Sequence, residues 1–421
     1  MSEVSEPTPP GMTHPSMECS PLLVERIRAA IETGGGAVSL ARYMEMALYE
    51  PDLGYYERTP RIVGRRGDFA TSVSVGSLFG ELMAYWIEHE VGASEGLSDG
   101  PVEIVEAGAH DGRWAEDILE ALMRGSGKDG ERFCYRIVEP SATRQAWQRE
   151  RLARFGDRVV WSEAMPARVS GVILSNELLD AFPVERWCWS TDQRRWVEQG
   201  VCWKEGQFDW IALPTPAPLE WNLPEELQSV LPNGFVRERS PTAVAWWARA
   251  AAALHAGCLI TLDYGLEAEE FLTPGRSAGT LRAYHRHRFF DDLLSFPGEV
   301  DLTAHVDFSA VAEVGLQAGL VPWYRERQSR FLMRILESTQ RSPGRFPDWS
   351  TQRVRAFQTL THPEHFGRGF RVLAQGLGTG GFDTLRYEGR FAETVGRVVS
   401  GGAGSSVDAP RDQSCARREI R

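Results

Sequence analysis

Two acidic residues, Glu106 and Glu139, each close a short β-branched run, and the second follows the first by 33 positions. The first run, V-E-I-V-E-A from Val102 to Ala107, breaks into G-A-H-D-G, Gly108 to Gly112. The second reads Y-R-I-V-E-P and ends at Pro140. A glycine turn lets backbone approach a ligand closely, and an acid at the tip of the next strand can accept both ribose hydroxyls. The pair therefore suits a nucleoside. It does not suit a phosphate: with His110 between Gly108 and Gly112 the G-x-G-x-x-G spacing fails, and G-K-[ST] is absent. A ligand-free Rossmann-like core stays open, because bland βαβ units also turn on glycine.

A second group follows the run G-V-I-L-S. The stretch S-N-E-L-L-D-A-F-P puts Asn176, Glu177 and Asp180 just past a strand end, where doubly wound folds place their ligand crevice. Glu177 and Asp180 differ by three, so on a helical turn they share a face. Two carboxylates there could clamp a planar guanidinium and take a proton from it. The alternative is an ordinary helix start with acids favoured by the dipole. Further on, D-L-T-A-H-V-D-F sets His305 two residues before Asp307, ahead of a helical pattern. The aspartate is first an N-cap candidate. His305 either orders a substrate, acts as a base, or is structural. His285 and His287 have no third ligand at recognisable spacing, so no metal is expected.

These residues need a scaffold, and the chain supplies alternating strand and helix patterns. Strand candidates lie at 102–107, 135–139, 159–161, 171–175 and 258–263, with helices between most of them, which predicts an α/β fold with a parallel sheet. Between the fourth and fifth strands, residues 185–211 carry five tryptophans amid alternating polar residues, read as inserted antiparallel hairpins. The tryptophans serve either packing or, less simply, a binding platform. Residues 21–32, 40–48 and 77–91 have helical spacing, 308–315 and 353–361 are helical, 370–376 is a last strand, and 328–336 reads as strand or helix. The expected organisation is a disordered leader (1–20), an N-terminal helical cover (21–99), a main domain (100–376) with a β-rich insertion (185–240), and a largely disordered tail (377–421).

Composition narrows the class. A chain of 421 residues, 42% hydrophobic, can bury a large core. Its net charge of −12 without a basic block argues against nucleic acid. No apolar run reaches the roughly 18–20 residues that span a bilayer. The acidic N-terminus resembles neither signal nor transit peptide, and six scattered cysteines without C-x-x-C point to a reduced, cytoplasmic setting.

What remains of the first turn fits the E-x-G-x-[G]-x-G pattern of S-adenosylmethionine enzymes. With G-D-F-A-T-S (67–72), L-F-G-E (78–81), I-V-E-P-S (137–141), G-V-I-L-S-N-E-L-L-D-A-F-P-V (171–184), L-D-Y-G (262–265), G-T-L-R-A-Y (279–284), D-L-T-A-H-V-D-F (301–308) and H-P-E-H-F-G-R-G-F-R-V-L-A (362–374), the chain resembles the MidA-like S-adenosylmethionine-dependent methyltransferases. The resemblance runs in family order from about residue 21 to 376. It implies a Rossmann-like seven-strand methyltransferase sheet, S-adenosyl-L-methionine as cofactor, and a protein or peptide arginine as acceptor. Carried over, Glu106, Gly108, Ala109, His110, Gly112, Glu139, Pro140 and Asn176 would bind the cofactor. Glu177, Asp180 and His305 would serve the transfer, and Gly67, Asp68 and Phe69 would belong to the cover. His110 stands where the family usually has the middle glycine, and S-V-S-V-G (72–76) lacks the usual Pro-Glu. A non-catalytic relative acting in assembly is the alternative. No nucleic acid or membrane partner is implied, and a homodimer is possible.

Overall fold

The computed structural model describes residues 19–58, 71–98, 100–125, 132–218, 221, 225–285, 288–341 and 346–378. Almost all of the expected leader and tail lies outside these residues, as do Gly67, Asp68, Phe69 and His287.

Seven strands form the frame: β1 (Val102–Ala107), β2 (Phe133–Val138), β3 (Val159–Ser162), β4 (Val169–Asn176), β5 (Leu254–Leu266), β6 (Val321–Arg327) and β7 (Phe370–Gly376). Their spatial order is β6-β7-β5-β4-β1-β2-β3. The pairs from β5 through β3 are parallel, while β7 runs antiparallel to both β5 and β6. Helices cover both faces, so the central strands are apolar without alternation: in β4, Val172, Ile173 and Leu174 are all fully buried. Strand β6 was not anticipated from sequence. It is an edge strand, with Val321 and Pro322 exposed and three charged residues at its end, so it lacks the signature of its buried neighbours. The ambiguous stretch at 328–336 is the helix Gln328–Arg341.

The region 21–99 divides between two cores. Pro21–Thr33 and Leu40–Tyr49 pack on the inserted sheet, where Val38–Ser39 adds an edge strand beside Arg195–Lys204. Leu78–Trp86 instead joins the main core, and every residue of it is buried. The spacing at 77–91 read as an amphipathic helix; Leu78–Trp86 is instead buried throughout, because Arg113–Gly125, Gln328–Arg341 and Thr351–Thr361 all contact it. Gly80 permits the closest approach, since a Cβ there would stand 2.4 Å from Asp117 Cβ. Glu81 inside this core is matched by Arg353 at 2.7 Å and by the Ser77 hydroxyl at 2.9 Å. The L-F-G-E motif is therefore a packing device.

The insertion is an antiparallel sheet of Glu185–Ser190, Arg195–Lys204, Gln207–Ala212 and Val236–Arg239. Trp187, Trp189, Trp196 and Trp221 form its own buried cluster, and Trp203 and Trp210 pack toward the N-terminal helices. The segment read as loop-rich between β5 and 302 contains a small three-stranded sheet, Arg282–His285, Arg288–Phe290 and Asp301–Thr303. It returns the chain to the sheet's C-terminal edge, where Val306–Asp307 pairs with the end of β5.

Gly171 begins the apolar part of β4 at φ 150°, and a Cβ there would fall 2.0 Å from the Glu103 carbonyl oxygen. The neighbour is backbone and cannot yield. Gly171→Ala is expected to cost roughly 3 kcal/mol of stability, combining overpacking and a strained φ. Urea unfolding of the variant checks this; a midpoint equal to wild type would show that β1 and β4 can separate.

Candidate active site

The crevice opens at the carboxyl ends of β1, β4 and β5, where the strand order reverses. It is a cavity of about 700 Å³, within the range of small-molecule sites. One wall is the turn after β1. Gly108, His110 and Gly112 all have positive φ (77°, 47° and 82°), so the chain curls back on itself before Arg113–Gly125 begins. Gly108 suits the turn: its φ favours glycine, and a Cβ there would press Leu178 Cδ1 at 2.9 Å. Glu106, buried behind the turn, accepts the Tyr135 hydroxyl at 2.7 Å, and burial pushes its pKa up to about 8.

The opposite wall is the loop after β4. It was expected to be a helical turn, and it is not: Glu177 adopts φ 49°, and no helix follows. The cause is Asp263, fully buried in β5 beside the carboxyl end of β4. One of its carboxylate oxygens accepts the backbone N–H groups of Leu178 (3.1 Å), Leu179 (2.8 Å) and Asp180 (3.4 Å). The other accepts the N–H of Tyr264 at 2.8 Å. The loop curls around a carboxylate instead of into a helix, yet Glu177 and Asp180 still share the cavity. Glu177 Oε1 accepts the Ser72 N–H at 3.2 Å and the Asn176 amide at 3.1 Å. Burial, with Asp180 nearby, raises its pKa to about 8. Asp180 is pushed well above the ordinary carboxylate range, by burial first and then by Asp263 and Asp301. Buried Asn176 Oδ1 and Asp180 Oδ1 have no hydrogen-bond partner among the described residues.

The third wall comes from Tyr55, Tyr56 and the small sheet. Tyr56 donates to Asp301 at 2.8 Å, and Tyr49 donates to the Ala181 carbonyl at 2.8 Å. Thus the N-terminal helices hold the acidic loop from outside. His305 lines the cavity, its N–H bonded to the Thr280 hydroxyl at 3.2 Å. Burial, then Arg276, Arg282 and Arg371, lowers its pKa to about 4, so its imidazole is neutral near pH 7. Asp307 caps the following helix through the Ala310 N–H at 3.0 Å.

Of the residues singled out in the sequence, Glu106, Gly108, Ala109, His110, Asn176, Glu177, Asp180 and His305 all line this cavity. Gly112 shapes the turn behind it, against Leu152. Glu139 and Pro140 stand one strand away. Glu139 is held by the Ser141 N–H (2.9 Å), Arg144 Nε (3.0 Å) and Gln148 Nε2 (3.3 Å), and Pro140 is exposed. Gln148 also donates to the His110 carbonyl at 2.9 Å, tying the two acid-bearing strand ends together. Sequence reasoning missed Asp263, Asp301 and Tyr264. Asp263 carried one usable signal, since it ends an apolar strand as Glu106 does. Among the described residues, no group of three or more His, Cys, Asp or Glu could hold a metal, and no helix is long and apolar enough to cross a membrane.

Residues 82–324 match the family model described as "Putative S-adenosyl-L-methionine-dependent methyltransferase". The chain belongs to this family. The methyltransferase is 27% identical over 387 residues to the mitochondrial protein arginine methyltransferase NDUFAF7 homolog of Drosophila melanogaster, covering 84% of each chain. It is 26% identical to the Caenorhabditis elegans homolog, covering 78% of this chain and 79% of that one. In structure it is similar to a COG1565 superfamily member from Burkholderia thailandensis bound to S-adenosyl-homocysteine, with TM-score 0.74, 31% identity, and coverage of 85% and 92%. The relatives from fly, worm, Danio rerio and Rattus norvegicus are all named mitochondrial, which overturns the cytoplasmic expectation. Scattered free thiols report a reducing environment and do not say which compartment provides it.

The residues present fit the cofactor. A turn favoured by glycine at Gly108, a buried acid behind it, and an orphaned amide oxygen on Asn176 together offer a nucleoside-amino-acid ligand close backbone and polar partners. Asp263→Ala would strip four backbone N–H groups, those of Leu178, Leu179, Asp180 and Tyr264, of their acceptor. It is expected to destabilise the fold by about 3 kcal/mol and to lower methyl transfer at least tenfold. Chemical denaturation and initial rates check this together; an unchanged rate would show that the loop does not depend on Asp263.

Proposed function

We propose that this methyltransferase modifies a terminal nitrogen of an arginine side chain in a protein or peptide. The observation that carries this reading is the set of three carboxylates on the cavity wall, Glu177, Asp180 and Asp301, with a fourth, Asp263, buried behind the loop that bears the first two. Burying like charges is costly unless they take up protons or face a cation. A guanidinium is the side chain that meets paired carboxylates with matched donors. The fly and worm relatives are named protein arginine methyltransferases, which supports the same acceptor.

Bound S-adenosyl-L-methionine supplies an electrophilic methyl on a sulfonium. The protein's part is orientation and proton handling. Asp180 and Asp301 would hold the guanidinium, and Glu177 would face the attacking nitrogen. During transfer Glu177 would accept the proton that the methylated nitrogen gives up. A carboxylate raised to about 8 is a stronger base than an ordinary one, so the burial that makes Glu177 costly also suits it to the task. Most of the acceleration would come from holding nitrogen, methyl and sulfur in line. Neutral His305 would place no competing positive charge beside the guanidinium. Glu139 would meet the ribose once Arg144 swings away from it.

Glu177→Gln is expected to keep S-adenosyl-homocysteine affinity by calorimetry while transfer falls at least a hundredfold. Because the base must be deprotonated, wild-type kcat/KM should climb as pH rises toward about 8 and level above it. A flat profile from pH 6 to 9, or full turnover in the variant, removes Glu177 from this role. For Glu139→Ala, cofactor affinity should drop at least tenfold with cooperative melting retained. Wild-type affinity in that variant would refute the ribose assignment.

A further inference from the structure

A second hollow of about 410 Å³ adjoins the transfer cavity. Helices Pro241–Ala253 and Phe308–Gln317 face each other across it, presenting Ala245, Ala248, Ala310 and Val314. Small side chains on both helices leave space between them that larger ones would fill. Leu179 and Val184, both buried, also line it. Ala304 and His305 belong to the walls of both hollows, so the two open on either side of one residue pair. The charges at its edge are already engaged: Glu238 with Arg186 at 3.2 Å and with the Thr280 N–H at 2.8 Å, Asp307 with Arg237 at 3.0 Å. An ionic occupant would find those partners taken. An apolar occupant would meet a mainly apolar lining.

We propose that this hollow receives an apolar side chain of the acceptor polypeptide, a few residues from the methylated arginine. The inference rests on the arginine reading above, and continuity supplies the argument. A polypeptide whose arginine enters the acidic cavity must leave it along some wall, and the wall at Ala304–His305 leads directly into apolar space. The two hollows divide recognition between them: the acidic one selects the cation, and the apolar one selects its sequence context. Burying one leucine-sized side chain is worth on the order of tenfold or more in affinity.

The test uses the full-length enzyme and a series of short Gly/Ser peptides with a central arginine and one leucine moved along the chain. For wild type, leucine at one or two positions should lower KM about tenfold relative to the leucine-free parent. Ala248→Trp fills the hollow and should remove that gain, leaving the parent peptide's KM and S-adenosyl-homocysteine affinity unchanged. Ala245→Glu, at an exposed position on the same helix, should reduce the gain with less risk to folding, which melting checks. Arginine methylation without any leucine preference overturns the inference alone, as does a gain that survives both variants. A change of oligomeric state in Ala248→Trp would assign the hollow to a second copy and also overturn it. If no arginine peptide is methylated, the acceptor reading falls and the inference with it.

Discussion

The carboxylate of Asp263 is the contact on which the site depends. One oxygen gathers three successive N–H groups from the loop after β4, and those groups would otherwise be buried without partners. A helix would have satisfied them by its own ladder only further along, and it would have turned Glu177 outward with the regular pitch. By replacing the first helical turn with a curl around a carboxylate, the fold sends Glu177 into a left-handed conformation and back over the cavity. Because Asp263 sits on β5 and the loop on β4, the parallel pairing of these two strands sets the position of the acids. Sheet and site are thus a single mechanical unit.

This arrangement carries an electrostatic cost. On top of burial, Asp180 raises the pKa of Glu177, Asp263 and Asp301 raise that of Asp180, and Glu177 raises that of Asp263. Near neutral pH the cluster holds protons that isolated carboxylates would have lost. It is therefore poised: a cation entering the cavity lowers the pKa values, releases protons and converts repulsion into attraction. The N-terminal segment holds the cluster without neutralising it. Tyr56 donates to Asp301 and Tyr49 to the Ala181 carbonyl, both uncharged donors, so the acids keep their appetite for a cation.

Much of this was legible in the sequence. The β-branched runs at 102–107 and 171–175 specify buried parallel strands, and Gly108 and the N-E-L-L-D stretch mark where those strands open onto a ligand. Less visible were features whose meaning lies in partners far along the chain. Asp263 binds only backbone, which has no letter in the sequence, so nothing in L-D-Y-G announces the loop it organises 85 positions earlier. The spacing of Glu177 and Asp180 implied a helical face, and the shared orientation came instead from a curl that a local pattern cannot encode. Strand β6 was hidden by its edge position, and the buried Leu78–Trp86 helix looked amphipathic because Glu81 finds its partner, Arg353, 272 positions later.

His110 illustrates how a departure from a family pattern can be absorbed. The position demands a left-handed backbone, where a non-glycine residue costs on the order of 1 kcal/mol. The turn nevertheless keeps its shape, because its carbonyl is fixed by Gln148 and the next residue, Asp111, is clamped by Arg151 at 2.7 Å. Both clamps come from one helix, Ala142–Leu152, which also positions Glu139 through Gln148 and Arg144. The backbone that a cofactor would approach is therefore the one a glycine would give, with an imidazole added at the cavity wall. His110 therefore alters the lining of the pocket while its turn is held by Gln148 and Arg151.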